Sequence, residues 1–230
     1  ILEKLNYMKP SCNTNKPIND LAIYGFGGFG REVACLIAKI NDIQPTWNLI
    51  GYFDDGHDVG NRNDYGSVLG GMDHLNAWPT DLAIVLAIGS GKVLQKLVSQ
   101  IKNPHITFPN IIAPQAFFFD KKSIRMGQGN IITFDCRLSC NIQLGDFNIL
   151  NGCVSLGHEV SMGNYNILFP DVRISGETTI GNSNFFGARS FVAQRLKIGN
   201  ETRIGAGSIV LRNTKDGNLY MGNPAKKIDI

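Results

Sequence analysis

His158 and Glu159 stand side by side, and Gly176 follows His158 by eighteen residues. An imidazole that titrates near neutrality can accept a proton, and a glycine N–H can hold the oxyanion formed when a carbonyl is attacked. The pair would serve a general-base step if the fold makes residues eighteen apart into neighbours. Ala188 and Ala206 are also eighteen apart, and small residues stacked there would leave a groove for a long thin ligand arm. A second set suits phosphate. Gly25-x-Gly27-x-x-Gly30 offers bare backbone to a pyrophosphate at the start of a helix. Asp54 and Asp55 follow about 25 residues later, where a ribose or base would sit.

A rhythm of six would bring such residues into stacks. Fifteen apolar residues recur at six-residue intervals from Met126 to Val210, among them Leu144, Leu156, Met162, Leu168, Ile180 and Ile204. Eight are followed by glycine, and the residue two places before each is usually small, β-branched or Asn, as at Asn148, Val154, Thr178 and Asn184. Six fits neither an amphipathic helix nor an alternating strand. It fits the hexapeptide β-helix, in which three hexads close one triangular coil. Fifteen hexads make about five coils, and Gly176 stacks on His158 at about 4.8 Å. The inward positions beside His158 are Val154 and Leu156, so His158 is no core residue. A plain surface histidine is the competing reading.

The earlier part of the chain has another pattern. Leu21–Tyr24, Leu49–Phe53 and Leu82–Ile88 read as strands, each ending in glycines or acids, and Glu32–Ile40 and Lys92–Ile101 have helical spacing. The alternation describes a small parallel α/β sheet, with the glycine motif between its first strand and helix. It is short for a dinucleotide fold, so a mononucleotide or nucleotide-sugar fits better than NAD. The glycines could instead serve tight strand-to-helix packing. The expected division is 1–19 as a flexible extension, 20–108 as a Rossmann-like nucleotide-sugar-binding domain, and 109–230 as the β-helix. Ile106, Phe108, Ile111 and Ile112 make the junction too apolar for a loose linker.

Composition narrows the partners. The net charge of +3, with 18% charged residues and no Lys/Arg stripe, gives no electrostatic case for nucleic acid. No apolar run approaches the roughly 18 residues of a membrane span. Five cysteines, odd in number and without CxxC spacing, suggest a reduced, cytoplasmic protein, with Cys136 as core filler. Cys153 is the nearest candidate for a covalent route, but it lacks an evident base partner.

Together and in order, the Gly-rich opening, Gly51-Tyr-Phe-Asp-Asp55, Ala87-Ile-Gly89, Asn110-Ile-Ile-Ala-Pro114, Gly157-His-Glu159 and Met221-Gly-Asn-Pro-Ala-Lys226 resemble the hexapeptide-repeat sugar acetyltransferases, over about residues 20–230. Within them the resemblance is to the branch acting on nucleotide amino sugars or sialic acid. It implies a left-handed parallel β-helix and a homotrimer with acetyl-CoA between neighbouring helices. It also implies His158 as general base, Glu159 as its orienting or polarising partner, and Gly176 N–H as oxyanion donor. Backbone at Ala188 and Ala206 would contact the CoA arm. Gly28, Phe29, Gly30, Asp54, Asp55 and Gly89 would hold the nucleotide part of the acceptor, with Asn151 on the acceptor side. Ile167 departs from relatives that place a second histidine near acetyl-CoA. The implied reaction is acetyl transfer to the amino group of a nucleotide-linked amino sugar, without a metal. O-acetylation of a sugar hydroxyl and a non-catalytic nucleotide-sugar scaffold remain open. A zinc enzyme on this scaffold needs three convergent histidines, and the repeat holds one.

Overall fold

The structure, a computed structural model, describes residues 18–229. Most of the expected flexible extension, residues 1–17, lies outside them, while Asn19 already opens the first strand. Six strands form the N-terminal sheet: β1 (Asn19–Tyr24), β2 (Trp47–Phe53), β3 (Arg62–Asn63), β4 (Gly66–Gly70), β5 (Leu82–Leu86) and β6 (Ile106–Thr107). Their order is β3-β4-β2-β1-β5-β6. Helices α1 (Gly28–Ile43), α2 (Met72–Asn76) and α3 (Gly91–Gln100) connect them. One correction to the expected parallel sheet is its edge. β3 and β4 pair antiparallel, because Gly66, with φ 153, lets the chain turn back. β1 lies between β2 and β5, so the strand order reverses beside the glycine turn, and a crevice opens at the carboxyl ends of the strands.

From Ile111 the chain becomes a left-handed parallel β-helix of two-residue strands in three faces. Face 1 carries Ile111–Ile112, Ile131–Ile132, Ile149–Leu150, Ile167–Leu168, Phe185–Phe186 and Arg203–Ile204. Face 2 includes Ser155–Leu156 and Arg173–Ile174, and face 3 includes Ser161–Met162 and Thr179–Ile180. Of the fifteen periodic residues, all but Met126 are fully buried and fill the prism. The first coil escaped the period because a 3-10 turn, Lys121–Ser123, lengthens it. Ile111 and Ile131 are twenty residues apart but paired, whereas Ile131 and its next partner Ile149 are eighteen apart.

From Gly129 to Gly207 each corner uses one left-handed residue. Twelve non-glycine residues from Asp135 to Glu201, six apart, have φ between 49° and 63°. Such a conformation costs about 1–2 kcal/mol at an ordinary residue, and the packing and hydrogen bonding of the corners offset it. Between faces 3 and 1 two ladders run in opposite senses. Inside, Asn148, Asn166 and Asn184 each donate backbone and side-chain N–H to the Asn Oδ1 of the coil before, at 2.9–3.1 Å. Outside, the backbone N–H groups of Asp146, Asn164 and Asn182 donate to the Asn Oδ1 of the coil after, at 2.7–2.9 Å. Glycine is required beside the outer ladder, since a Cβ on Gly181 would lie 2.6 Å from Asn200 Oδ1.

Face 1 is apolar on both sides, as a sheet covered twice must be. Its outward Ile111, Ile131, Ile149 and Ile167 belong to the same core as Leu21, Ile23, Ile37 and Leu94 of the N-terminal domain. The expected packing of the two domains is therefore present. Phe147 and Tyr165, bulky residues at left-handed corners, stack in parallel at 5.5 Å and join that core. Helix α3 docks end-on at the same corner. A Cβ on Gly91 would collide with the Tyr165 carbonyl, and Lys92 pairs with Glu201 at 2.7 Å. Among the described residues no helix is long and apolar enough to cross a membrane.

Candidate active site

His158, Glu159, Gly176 and Glu177 occupy the corner between faces 2 and 3 on successive coils. The stacking has the expected register: Ser155 pairs with Arg173, and Glu177 N donates to His158 O at 2.8 Å. His158 Nδ1 lies 3.2 Å from Glu159 Oε2. With the proton on Nδ1, Nε2 carries the free lone pair. Nε2 lies over Gly176, where a Cβ would stand 2.6 Å from it, so only glycine leaves room for the ring. Gly157 is bare for a related reason, its Cβ position being 2.5 Å from Gly176 N. Among the described residues Gly176 N–H finds no acceptor, and neither do the N–H groups of Ala188 and Ala206. His158 and Glu159 are about half exposed, so base and donor both open to the outside of the prism.

The other expected residues lie elsewhere on the chain. Phe29, Gly89, Asn151 and Ile167 line one pocket of about 190 Å³, with Glu32, Ile149 and Phe169, between α1 and face 1. Ile167, at the position expected near acetyl-CoA, is buried at the domain interface beside the acceptor-side residues. Ala188 and Ala206 stack at the corner between faces 1 and 2, where a Cβ on Gly187 would meet Ala206 N. One chain thus carries the base at one corner of the prism and the pocket and alanine column along another, since Asn151 and Phe169 lie at the same corner as Ala188 and Ala206.

At the glycine turn, Gly30 must lack a side chain because its Cβ would run into the Gly25 carbonyl. Gly27 and Gly28 face open space at the start of α1. Asp54 and Asp55 reach this turn, but their carboxylates are engaged within the chain. Asp54 accepts from Phe26 N and Gly56 N, both at 2.8 Å, and meets His57 Nδ1 at 2.8 Å. Asp55 accepts from Met72 N and from the Tyr24 hydroxyl. Burial alone would raise the Asp54 carboxyl, but the Phe26 N–H, His57 and the Gly56 N–H hold it below the usual carboxylate range.

The thiol stacked on the histidine corner is not Cys153, which sits at the corner between faces 1 and 2, but Cys140, whose carbonyl accepts from Glu159 N at 2.9 Å. Its place eighteen residues before His158 was the available signal. The imidazole leans toward Gly176 in the opposite direction. Burial pushes the Cys136 thiol up to about 12, consistent with a core filler. Glu177 and Arg195, the next two residues of the Glu159 column, carried no expectation from sequence; they form a two-pronged pair at 3.0 Å.

Residues 20–101 match the profile of the PglD N-terminal domain. The acetyltransferase domain of PglB from Neisseria gonorrhoeae FA1090, solved with acetyl coenzyme A, superposes with a TM-score of 0.83 at 25% identity over 92% of this chain and 100% of that one. Residues 20–101 thus resemble a PglD N-terminal domain, and the chain as a whole has the fold of the PglB acetyltransferase domain. WeeI from Acinetobacter baumannii AYE shares the fold, with a TM-score of 0.81 at 24% identity, over 90% of this chain and 99% of that one. So does a mutant of perosamine N-acetyltransferase from Caulobacter crescentus in complex with CoA and GDP-perosamine, with a TM-score of 0.80 at 24% identity, covering 93% and 99%. No curated protein matches. The PglD-like N-terminal domain therefore comes with the β-helix it rests on.

Proposed function

We propose that the chain is an acetyl-CoA-dependent N-acetyltransferase of a nucleotide-linked amino sugar, working in the cytoplasm as a homotrimer. The observation that carries the reading is the imidazole held between the Glu159 carboxylate and the free N–H of Gly176. Acetyl coenzyme A with the PglB domain, and CoA with GDP-perosamine in the Caulobacter relative, support the donor and an amine acceptor over a hydroxyl. The neutral sugar amine adds to the thioester carbonyl, and its proton passes to His158 Nε2. Gly176 N–H holds the oxyanion, the C–S bond breaks, and the proton on His158 neutralises the departing CoA thiolate. The backbone of Ala188 and Ala206 takes the CoA arm. Gly28, Phe29, Gly30 and Gly89 receive the nucleotide sugar near Asn151, and Asp54 and Asp55 brace the turn. Because the base stands at a different corner from the pocket and the alanine column within one chain, a second copy completes each site.

The test is thiol release from acetyl-CoA against UDP-, GDP- and dTDP-amino sugars, with His158→Ala in parallel. Turnover with an amino sugar that falls about 100-fold or more in the variant is the expected result. Turnover on hydroxyl sugars alone, or a variant as active as the parent, sinks the reading.

A further inference from the structure

Glu177 stands one coil beyond Glu159 at the histidine corner. One ring nitrogen of His158 and one carboxylate oxygen each of Glu159 and Glu177 lie within 4.8 Å of one another. Two carboxylates therefore flank one imidazole. Glu159 is in hydrogen-bonding range of Nδ1, whereas Glu177 is held from the other side. Arg195 grips it through Nε and an Nη nitrogen at 3.0 Å each, and Gln194 donates to its Oε1 at 2.8 Å. The Arg195 guanidinium and the Gln194 amide hold the Glu177 carboxyl below its usual range, so it stays ionised at neutral pH.

A bare carboxylate there would stabilise an imidazolium, but it would also repel an oxyanion at the adjoining Gly176 N–H. Arg195 resolves that conflict by offsetting the charge without moving the carboxylate away. Resting on the general-base reading of His158, we propose that Glu177, clamped by Arg195 and Gln194, is a second carboxylate partner of His158 whose charge Arg195 sets. Both are positioning residues, acting through the imidazole. The charged and titratable groups facing His158 are Glu159 on its own coil, Glu177 with Arg195 behind it on the coils beyond, and Cys140 on the coil before.

The signs of the effects are opposite. Glu177→Gln removes a negative neighbour, so the acid limb of the kcat/KM profile moves to lower pH, by about half a unit for an exposed pair at this distance. Arg195→Gln unmasks Glu177 and moves the limb up by a similar amount. The double variant Glu177→Gln/Arg195→Gln returns to the position of Glu177→Gln alone, and Arg195→Lys, which keeps charge but not the two-pronged grip, moves it less than Arg195→Gln. Profiles are read on the full chain with acetyl-CoA and the turned-over amino sugar, beside thermal melts. Limbs that stay put, or that move the same way in both single variants, overturn the proposal. His158→Ala separates this from the larger reading: if it is inactive while the limbs do not move, only the Glu177 proposal fails. If it is as active as the parent, the general-base reading fails.

Discussion

Gly176 bears two requirements at once: a free N–H and no Cβ under the imidazole. Gly176→Ala would keep the N–H but push the His158 ring aside, because the added methyl stands 2.6 Å from Nε2. A misplacement of that order costs about 100-fold in rate, so kcat/KM should fall by about that factor while the melting temperature hardly changes. Asp54 gives a pH test at the same scale. Its carboxyl is held below the ordinary range, so its stabilisation is complete above the unfolded value and is lost as pH falls through the folded one. Melting temperature should therefore decline below about pH 4 more steeply in the parent than in Asp54→Asn. Equal slopes would mean that the turn draws no stability from that charge.

At the scale of elements, the two Asn ladders and the inward aliphatics are separate sources of stability. Leu168→Ala removes a fully buried side chain and should cost about 2–5 kcal/mol. Asn166→Leu breaks the inner ladder, leaving the backbone and side-chain N–H groups of Asn184 without partners, while Asn148 Oδ1 keeps only the backbone N–H of residue 166. Each buried orphan costs about 1–3 kcal/mol, so the apolar replacement should destabilise the helix despite its greater hydrophobicity. Urea melts of the two variants measure both losses. An Asn166→Leu protein as stable as the parent would reduce the ladder to a by-product of the corner geometry.

At the scale of the whole molecule, the base must meet a pocket and an alanine column that lie at another corner. His158 lies at the corner of faces 2 and 3, while the pocket of Phe29 and Asn151 lies against face 1, which the N-terminal domain covers. If sites form between copies, co-expressing His158→Ala with a Gly28→Trp chain blocked at the acceptor turn should restore part of the parent activity, although each alone is inactive. Light scattering should report a trimer throughout. A monomer, or no complementation, would place the whole site on one chain and contradict the assembly. Gly91→Val tests the domain contact instead. It should loosen α3 from Tyr165 and make the junction near residues 101–110 more sensitive to protease.

The hexad period was legible because it is local: each turn of the chain repeats one short steric problem, an inward aliphatic and a tight corner. The stacking of His158 under Gly176 followed from counting alone. The docked face was legible too, at a period of eighteen. Its outward residues are Ile131, Ile149, Ile167 and Phe185, against Arg137, Ser155 and Arg173 on face 2 and Gln143, Ser161 and Thr179 on face 3. The first coil was hidden by two extra residues. The inward commitment of Asp54 and Asp55 and the placing of Phe29 and Gly89 beside Ile167 had no sequence signal. They depend on which corner faces which neighbour, a matter of long-range packing in three dimensions.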